Sequence, residues 1–243
     1  MKGVILAGGT GSRMQPLTFV TNKHLLPVFN KPVIYYPIER LVEAGVKDIL
    51  IVTSTEYTHH FHKLLGDGSV LGARISYAVQ PAASGIADAL RLAEVFADGE
   101  KIAVILGDNV FEDSIAKFVK DFDKKRKGAA IFIKEHSDAK FYGVVELDKK
   151  GKVIDIIEKP EKPKTNLCAT GIYFYDADVF KFIKKLKPSQ RNEYEITDVN
   201  KAYLKKGMLH SYQLTGEWFD CGNFYWLLRA NLFIARKHHG FKD

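Results

Sequence analysis

An α/β fold with a mixed, mainly parallel sheet flanked by helices is what this 243-residue sequence predicts. Three observations carry the prediction. Short Val- and Ile-rich runs, each bounded by turn formers, recur through the first half as GVILAG, DILIVTS, RISYAVQ and KIAVILGDN. Helical patterns separate them, PVIYYPIERLVEAG, EYTHHFHKLLGDG and GIADALRLAEVFA, so the chain reads as successive βαβ units around a parallel sheet. After AAIFIKEH the pattern changes: YGVVELDKKGKVIDIIEKP alternates across a polar turn as a hairpin does, and ATGIYFYDADVF follows as a strand entering a helix. Two further helices, ITDVNKAYLKKG and NFYWLLRANLFIARKHH, flank SYQLTGEWFDCGN.

At 46% hydrophobic residues the chain can bury a full core, and one domain over 1–243 is expected, with a β extension at about 129–220. No stretch reaches the roughly 20 apolar residues that span a bilayer, and the Met-Lys start runs straight into a strand, so a cytoplasmic protein without a membrane partner is expected. Cys168 and Cys221 form no CxxC pair and read as reduced thiols. The net charge of +7 raises nucleic acid as a partner. However, DFDKKRKG and KFIKKLKPS are helix-like runs without interleaved aromatics, which reads as solvated faces; no nucleic-acid partner is expected. His59, His60 and His62 do not share one helix face, and they read as surface residues rather than metal ligands. Tyr35 and Tyr36 read as core or interface aromatics.

The first strand breaks into GGTGSRMQPLT. A Walker loop would need G-K-[ST], which is missing, and a GxGxxG fingerprint starting at Gly9 and Gly11 meets Met14 in its last position. What remains is a loop whose backbone N–H groups at Gly8, Gly9 and Gly11 can approach an anion, with Arg13 adding a delocalised charge suited to phosphate. A purely structural turn is the competing reading. TNKHLLPVFNKP follows and sets Lys23 in an apolar, proline-framed stretch, poor for packing but good for a fixed charge.

With these segments in view, the chain resembles the sugar-1-phosphate nucleotidyltransferases, most of all their short thymidylyltransferase branch. GGTGSRMQPLT and NKHLLPV carry the resemblance, and YAVQP, SGIADAL, LGDN, YGVVE, EKP, ATGIYFYD, EITDVN and WFDCG extend it in the same order over nearly the entire chain. The resemblance implies a Rossmann-like nucleotidyltransferase core and condensation of dTTP with glucose 1-phosphate to dTDP-glucose and pyrophosphate, with Mg²⁺ as cofactor. Partners would be these two substrates and further copies of the chain, as a dimer or tetramer. Uridylyl transfer, or a silent nucleotide-sugar sensor, are the alternatives. Longer members carry a further C-terminal helical segment that helps form a regulatory site, which puts feedback control in question here.

The chemistry asks for positioning and charge neutralisation rather than a base. A phosphate monoester has its second ionisation near 6 and is already an oxyanion nucleophile. Arg13 is expected on the leaving β- and γ-phosphates, Lys23 at the α-phosphate and Lys159 on the sugar phosphate; Arg13 and Lys23 are both expected on a solvent-accessible loop. Asp108 ends a buried-looking strand, where α/β sheets open their ligand crevice. The resemblance pairs it with Asp220 as the two Mg²⁺ ligands, although Cys221 and Asn223 depart from the family's pattern there; Asn223 can still cap the next helix. It further implies nucleotide contacts from Leu6, Gly8, Gly9, Thr10, Gly11, Ser12, Gln80, Gly85 and Asp108. Gln80 would pair with the polar edge of thymine and Gly85 would admit the base to the backbone. Gly143, Glu158, Ala169 and Tyr173, with Lys159, would hold the sugar.

Overall fold

The apolar run of β1 (Lys2–Ala7) lies at the centre of the sheet, covered on both faces: Val4 and Leu6 join one core layer, Ile5 and Ala7 the other. The computed structural model describes residues 1–239, so the last four residues of the expected 1–243 domain lie outside the described residues. Two-residue strands β2 (Pro27–Val28) and β3 (Lys31–Pro32) pair antiparallel; then come α1 (Tyr35–Glu43), β4 (Asp48–Ser54), α2 (Thr58–Leu65) and β5 (Arg74–Gln80). The expected helix GIADALRLAEVFA is two helices, α3 (Ile86–Arg91) and α4 (Glu94–Ala97). The N–H groups of Leu92 and Ala93 donate to carbonyls three residues back, a tighter turn that interrupts the α ladder. KIAVILGDN divides as well. β6 (Ile102–Leu106) stops at Gly107, and β7 (Asn109–Phe111) leaves the main sheet.

The second half adds α5 (Ala116–Lys124), β8 (Ala129–Glu135), β9 (Gly143–Leu147), β10 (Val153–Glu158), β11 (Leu167–Tyr175), α6 (Val179–Ile183), α7 (Ile196–Lys205), β12 (Leu209–Gln213), β13 (Trp218–Asp220) and α8 (Phe224–His239). β9 and β10 form the expected antiparallel hairpin, its turn held by the Asp148 carboxylate, which accepts from the N–H groups of Lys150 and Lys152. The sheet order is β10-β9-β11-β6-β1-β4-β5. β4, β1 and β6 are parallel neighbours with β5 parallel to β4; β11 is antiparallel to β6, β9 and β8, and β12 is parallel to β8. β7 pairs with β13, and α8 packs Ala230 and Ile234 on this ribbon against Val110, Phe219 and Cys221.

The lysine runs lie outside. α5 buries Val119 and Phe122, α6 buries Val179, Phe180 and Ile183, and Lys120, Lys124, Lys181 and Lys184 are exposed. His59, His60 and His62 are exposed on α2, whereas Tyr36 is buried and donates its hydroxyl to the Val28 carbonyl at 2.7 Å. Cys168 and Cys221 are free and buried. Among the described residues no helix is long and apolar enough to cross a membrane.

Candidate active site

The parallel registers bring the carboxyl ends of the central strands to one edge. Ala7 pairs with Thr53, Gln80 with Ser54, and Leu106 with Leu6. Loops leaving such an edge diverge and open a crevice, here a cavity of about 290 Å³. Of the residues expected in a site, Leu6, Gly8, Gly9, Arg13, Lys23, Gln80, Gly85, Asp108, Gly143, Glu158, Lys159, Ala169, Tyr173 and Asp220 line it. Thr10 lines an adjoining hollow together with Gly9 and Gln80. Gly11 and Ser12 stand outside both because they build the turn Ser12–Met14, where the Gly11 carbonyl accepts from Thr18 Oγ1 and from the Met14 N–H, each at 2.8 Å.

The charged centre assembles residues far apart in sequence. Asp108 follows β6, and Asp220 ends β13, which register pairs with Asn109. Gly222 marks how closely they approach: a Cβ there would stand 2.9 Å from Asp220 Oδ1, 3.4 Å from Asp108 Oδ2 and 3.0 Å from Arg13 Nη2. A side chain at this position would fill the space the charges share. Lys23 does not stand on an accessible loop as expected. Its side chain is 17% exposed and its ammonium is ion-paired with the Asp108 carboxylate, because the turn Lys23–Leu25 is pinned by Asn22, whose Oδ1 accepts from the His24 N–H at 2.9 Å. Arg13 is exposed, as expected.

Electrostatics follow from this packing. Burial would raise the pKa of Asp108, but the charge and hydrogen bond of Lys23 outweigh it and hold the carboxyl below the usual range. Asp220 is pushed up, by burial first and by the charge of Asp108 next. Burial depresses the Lys23 ammonium, yet Asp108 and Asp220 together raise it. His24, buried beside Lys23, is lowered to about 3, by burial first, and is neutral. The buried Asp108 and the half-buried Asp220 resist sharing negative charge, which fits a cation, and both offer hard oxygen donors. Among the described residues no group of three or more His, Cys, Asp or Glu converges, so a cation here would take its other ligands from bound phosphate and water, the habit of Mg²⁺.

Two further groups of lining residues differ in chemistry. In one, Gln80 is buried at the end of β5. Gly85 lies next to it, but its lack of a side chain serves the chain itself: with φ 106°, a Cβ would stand 2.6 Å from the Tyr194 carbonyl oxygen and 2.7 Å from its nitrogen. Gly85→Ala should therefore lower stability by about 2 kcal/mol, read as the shift in urea midpoint, from strained backbone and overlap with a fixed chain. In the other, Glu158 accepts from Thr197 Oγ1 and sits 3.4 Å from Arg191 Nη2. Lys159 follows it at φ 41°, an uncommon conformation for a non-glycine residue, with its N–H held by the Tyr142 carbonyl at 3.0 Å.

Sequence reasoning missed several residues that line this cavity. Trp218 stands two residues before Asp220 on β13, on the same face by strand alternation, and donates to Asn109 Oδ1 at 2.6 Å; Asn109 in turn donates to Asp108 Oδ1 at 3.2 Å. That period of two was a readable signal. Tyr142, beside Asp220, and Thr197, beside Glu158, lie within the segments YGVVE and EITDVN, but nothing in their spacing marked them. Asn223 does cap α8: its Oδ1 accepts from the Trp226 N–H at 3.0 Å.

The chain matches the Nucleotidyl transferase family over residues 2–237. It is 44% identical over 236 residues to the glucose-1-phosphate thymidylyltransferase of Xanthomonas campestris pv. campestris, covering 96% of this chain and 80% of that one. With the enzyme of the same name from Mycobacterium tuberculosis it shares 42% over 237 residues, 96% of this chain and 82% of the relative. Among solved structures, one from Bacillus anthracis in complex with a sucrose superposes with a TM-score of 0.93 at 45% identity, covering 100% of this chain and 98% of that one. A UDP-glucose pyrophosphorylase complexed with UDP-glucose superposes with a TM-score of 0.85 at 28% identity, covering 98% and 99%.

Proposed function

Since the chain belongs to the nucleotidyl transferase family, we propose that it transfers the thymidylyl group of dTTP to glucose 1-phosphate, releasing pyrophosphate and forming dTDP-glucose. The observation that carries this reading is the convergence on one cavity of Arg13, Lys23, Lys159, Asp108 and Asp220, with the buried amide of Gln80 and a Glu158–Thr197 pair in the same lining. The glucose 1-phosphate oxyanion needs no base and attacks the α-phosphorus in line. Lys159 holds the sugar phosphate; its backbone conformation fixes where the side chain starts. Arg13, exposed at the mouth, takes the β- and γ-phosphates as they depart, and Lys23 meets charge developing at the α-phosphate. Asp108 and Asp220 would hold Mg²⁺, which supplies Lewis-acid neutralisation of the triphosphate when bound. Leu6 and the loop Gly8–Ser12 hold the nucleotide, Gln80 and Gly85 the base. Gly143, Glu158, Ala169 and Tyr173 hold the hexose, within a sugar-binding extension at 129–220 of a single domain. A cytoplasmic homo-oligomer is the expected working form, and light scattering reads its size.

The test is pyrophosphate release with each common nucleoside triphosphate and dTTP, against several sugar 1-phosphates. The best pair should be dTTP with glucose 1-phosphate. UTP should be weaker by roughly fivefold in kcat/KM, since uracil lacks one methyl group worth about 1 kcal/mol in an apolar contact. A preference for ATP or GTP over both pyrimidines overturns the reading.

A further inference from the structure

Gln80 is held more tightly than base recognition alone requires. Its Nε2 donates to Asp88 Oδ2 at 3.0 Å and to the Gly85 carbonyl at 3.3 Å, which uses both amide hydrogens. Asp88 is itself fixed: it accepts from Ser84 Oγ at 2.6 Å on one oxygen and from Arg91 Nη2 at 2.8 Å on the other. Burial would raise the Asp88 pKa, but its bonds to Ser84, Gln80 and Arg91 outweigh this and hold it below its ordinary value. Ionised, Asp88 only accepts. The NH2 of Gln80 must therefore turn toward α3 and its oxygen the opposite way. Oε1 lies at the cavity wall, 3.1 Å from where a Cβ on Gly8 would stand.

We propose that Asp88 is a positioning residue for base choice: by fixing the Gln80 amide it leaves only an acceptor facing the nucleobase, so the site takes a pyrimidine that offers N3–H, thymine or uracil, and rejects cytosine. The inference rests on the dTTP reading above and adds a selection rule to it. Cytosine held in the same pose would set its N3 lone pair against Oε1, and an unpaired polar contact of this kind is what separates substrates most strongly. The Gly85 carbonyl favours the same orientation at 3.3 Å, and Asp88, at 3.0 Å and charged, is the closer and stronger acceptor. An asparagine at position 88 offers an N–H as well as an oxygen, so Gln80 could turn over and present its NH2 to the base.

The experiment compares wild type with Asp88→Asn, measuring kcat/KM for dTTP and for dCTP with glucose 1-phosphate. The ratio of dTTP to dCTP should fall by at least roughly tenfold in Asp88→Asn, through a gain for dCTP as well as a loss for dTTP. A ratio unchanged within about twofold, or an equal loss for both nucleotides, overturns the proposal, because a merely structural role lowers both alike. Should the variant fail to fold, the wild-type enzyme carries the test. The side-chain NH2 of Gln80, assigned by its disappearance in Gln80→Glu, should exchange with water at least tenfold more slowly than the NH2 of an exposed glutamine; exchange at the exposed rate overturns the lock. If wild type turns over no thymidine nucleotide at all, the proposed activity fails, and this amide measurement still decides whether the Gln80 NH2 is held against Asp88 and Gly85.

Discussion

Asp108→Asn should fold normally, lose roughly a thousandfold or more in kcat and need more Mg²⁺ for the activity that remains. The loss corresponds to about 4 kcal/mol in the barrier. Asparagine keeps the shape and one oxygen but removes the charge that a cation and the Lys23 ammonium both answer to. Asp220 still faces Lys23, so the melting temperature should move by only a few degrees. Asp220→Asn should show the same pattern less severely. Asp220 is the carboxylate pushed toward protonation, and it ends a three-residue strand of a two-stranded ribbon, whereas Asp108 follows a central strand. Initial rates at saturating dTTP, titrated with Mg²⁺, read both variants. Unchanged Mg²⁺ dependence in either removes that residue from the ligand set.

Arg13→Ala and Lys23→Ala should each cost on the order of 3 kcal/mol in the barrier, a fall in kcat of roughly a hundredfold, but they should part company in stability. Arg13 is exposed, and when it is removed Asp108 and Asp220 still keep Lys23, so unfolding by denaturant should be nearly unchanged. Lys23 is the partner of a buried carboxylate, and deleting it leaves Asp108 uncompensated. The expected loss is about 3 kcal/mol of folding stability, at the low end for a broken buried pair because Lys23 keeps partial exposure. Full stability in Lys23→Ala would mean that Asp108 finds another cation or a proton; near-normal turnover in either variant takes that residue off the catalytic list.

That difference between Arg13 and Lys23 is one the sequence did not contain. By itself the sequence determined the elements whose cause is local: the alternating strands and helices, the β9–β10 hairpin, the exposed lysine faces of α5 and α6 and the Asn223 cap. Side-chain periodicity and turn chemistry act over a few residues and are legible there. It also determined which chemistry was on offer, since a glycine loop with an arginine, a lysine in an apolar stretch and an aspartate after a buried strand each break the surrounding pattern. Where GIADALRLAEVFA splits and where β7 leaves the sheet went unread. The first depends on which carbonyl an N–H reaches, and the second on a partner strand more than a hundred residues away. Only the tertiary structure decided that Lys23 would be spoken for by Asp108, 85 residues on; that Asp220 would come within reach through the β7–β13 register; that Gly85 answers to the Tyr194 backbone; and that Asp88 turns the Gln80 amide. Each is a contact between segments whose distance is set by sheet register and packing, and a buried polar group takes its orientation from whichever partners that packing leaves it.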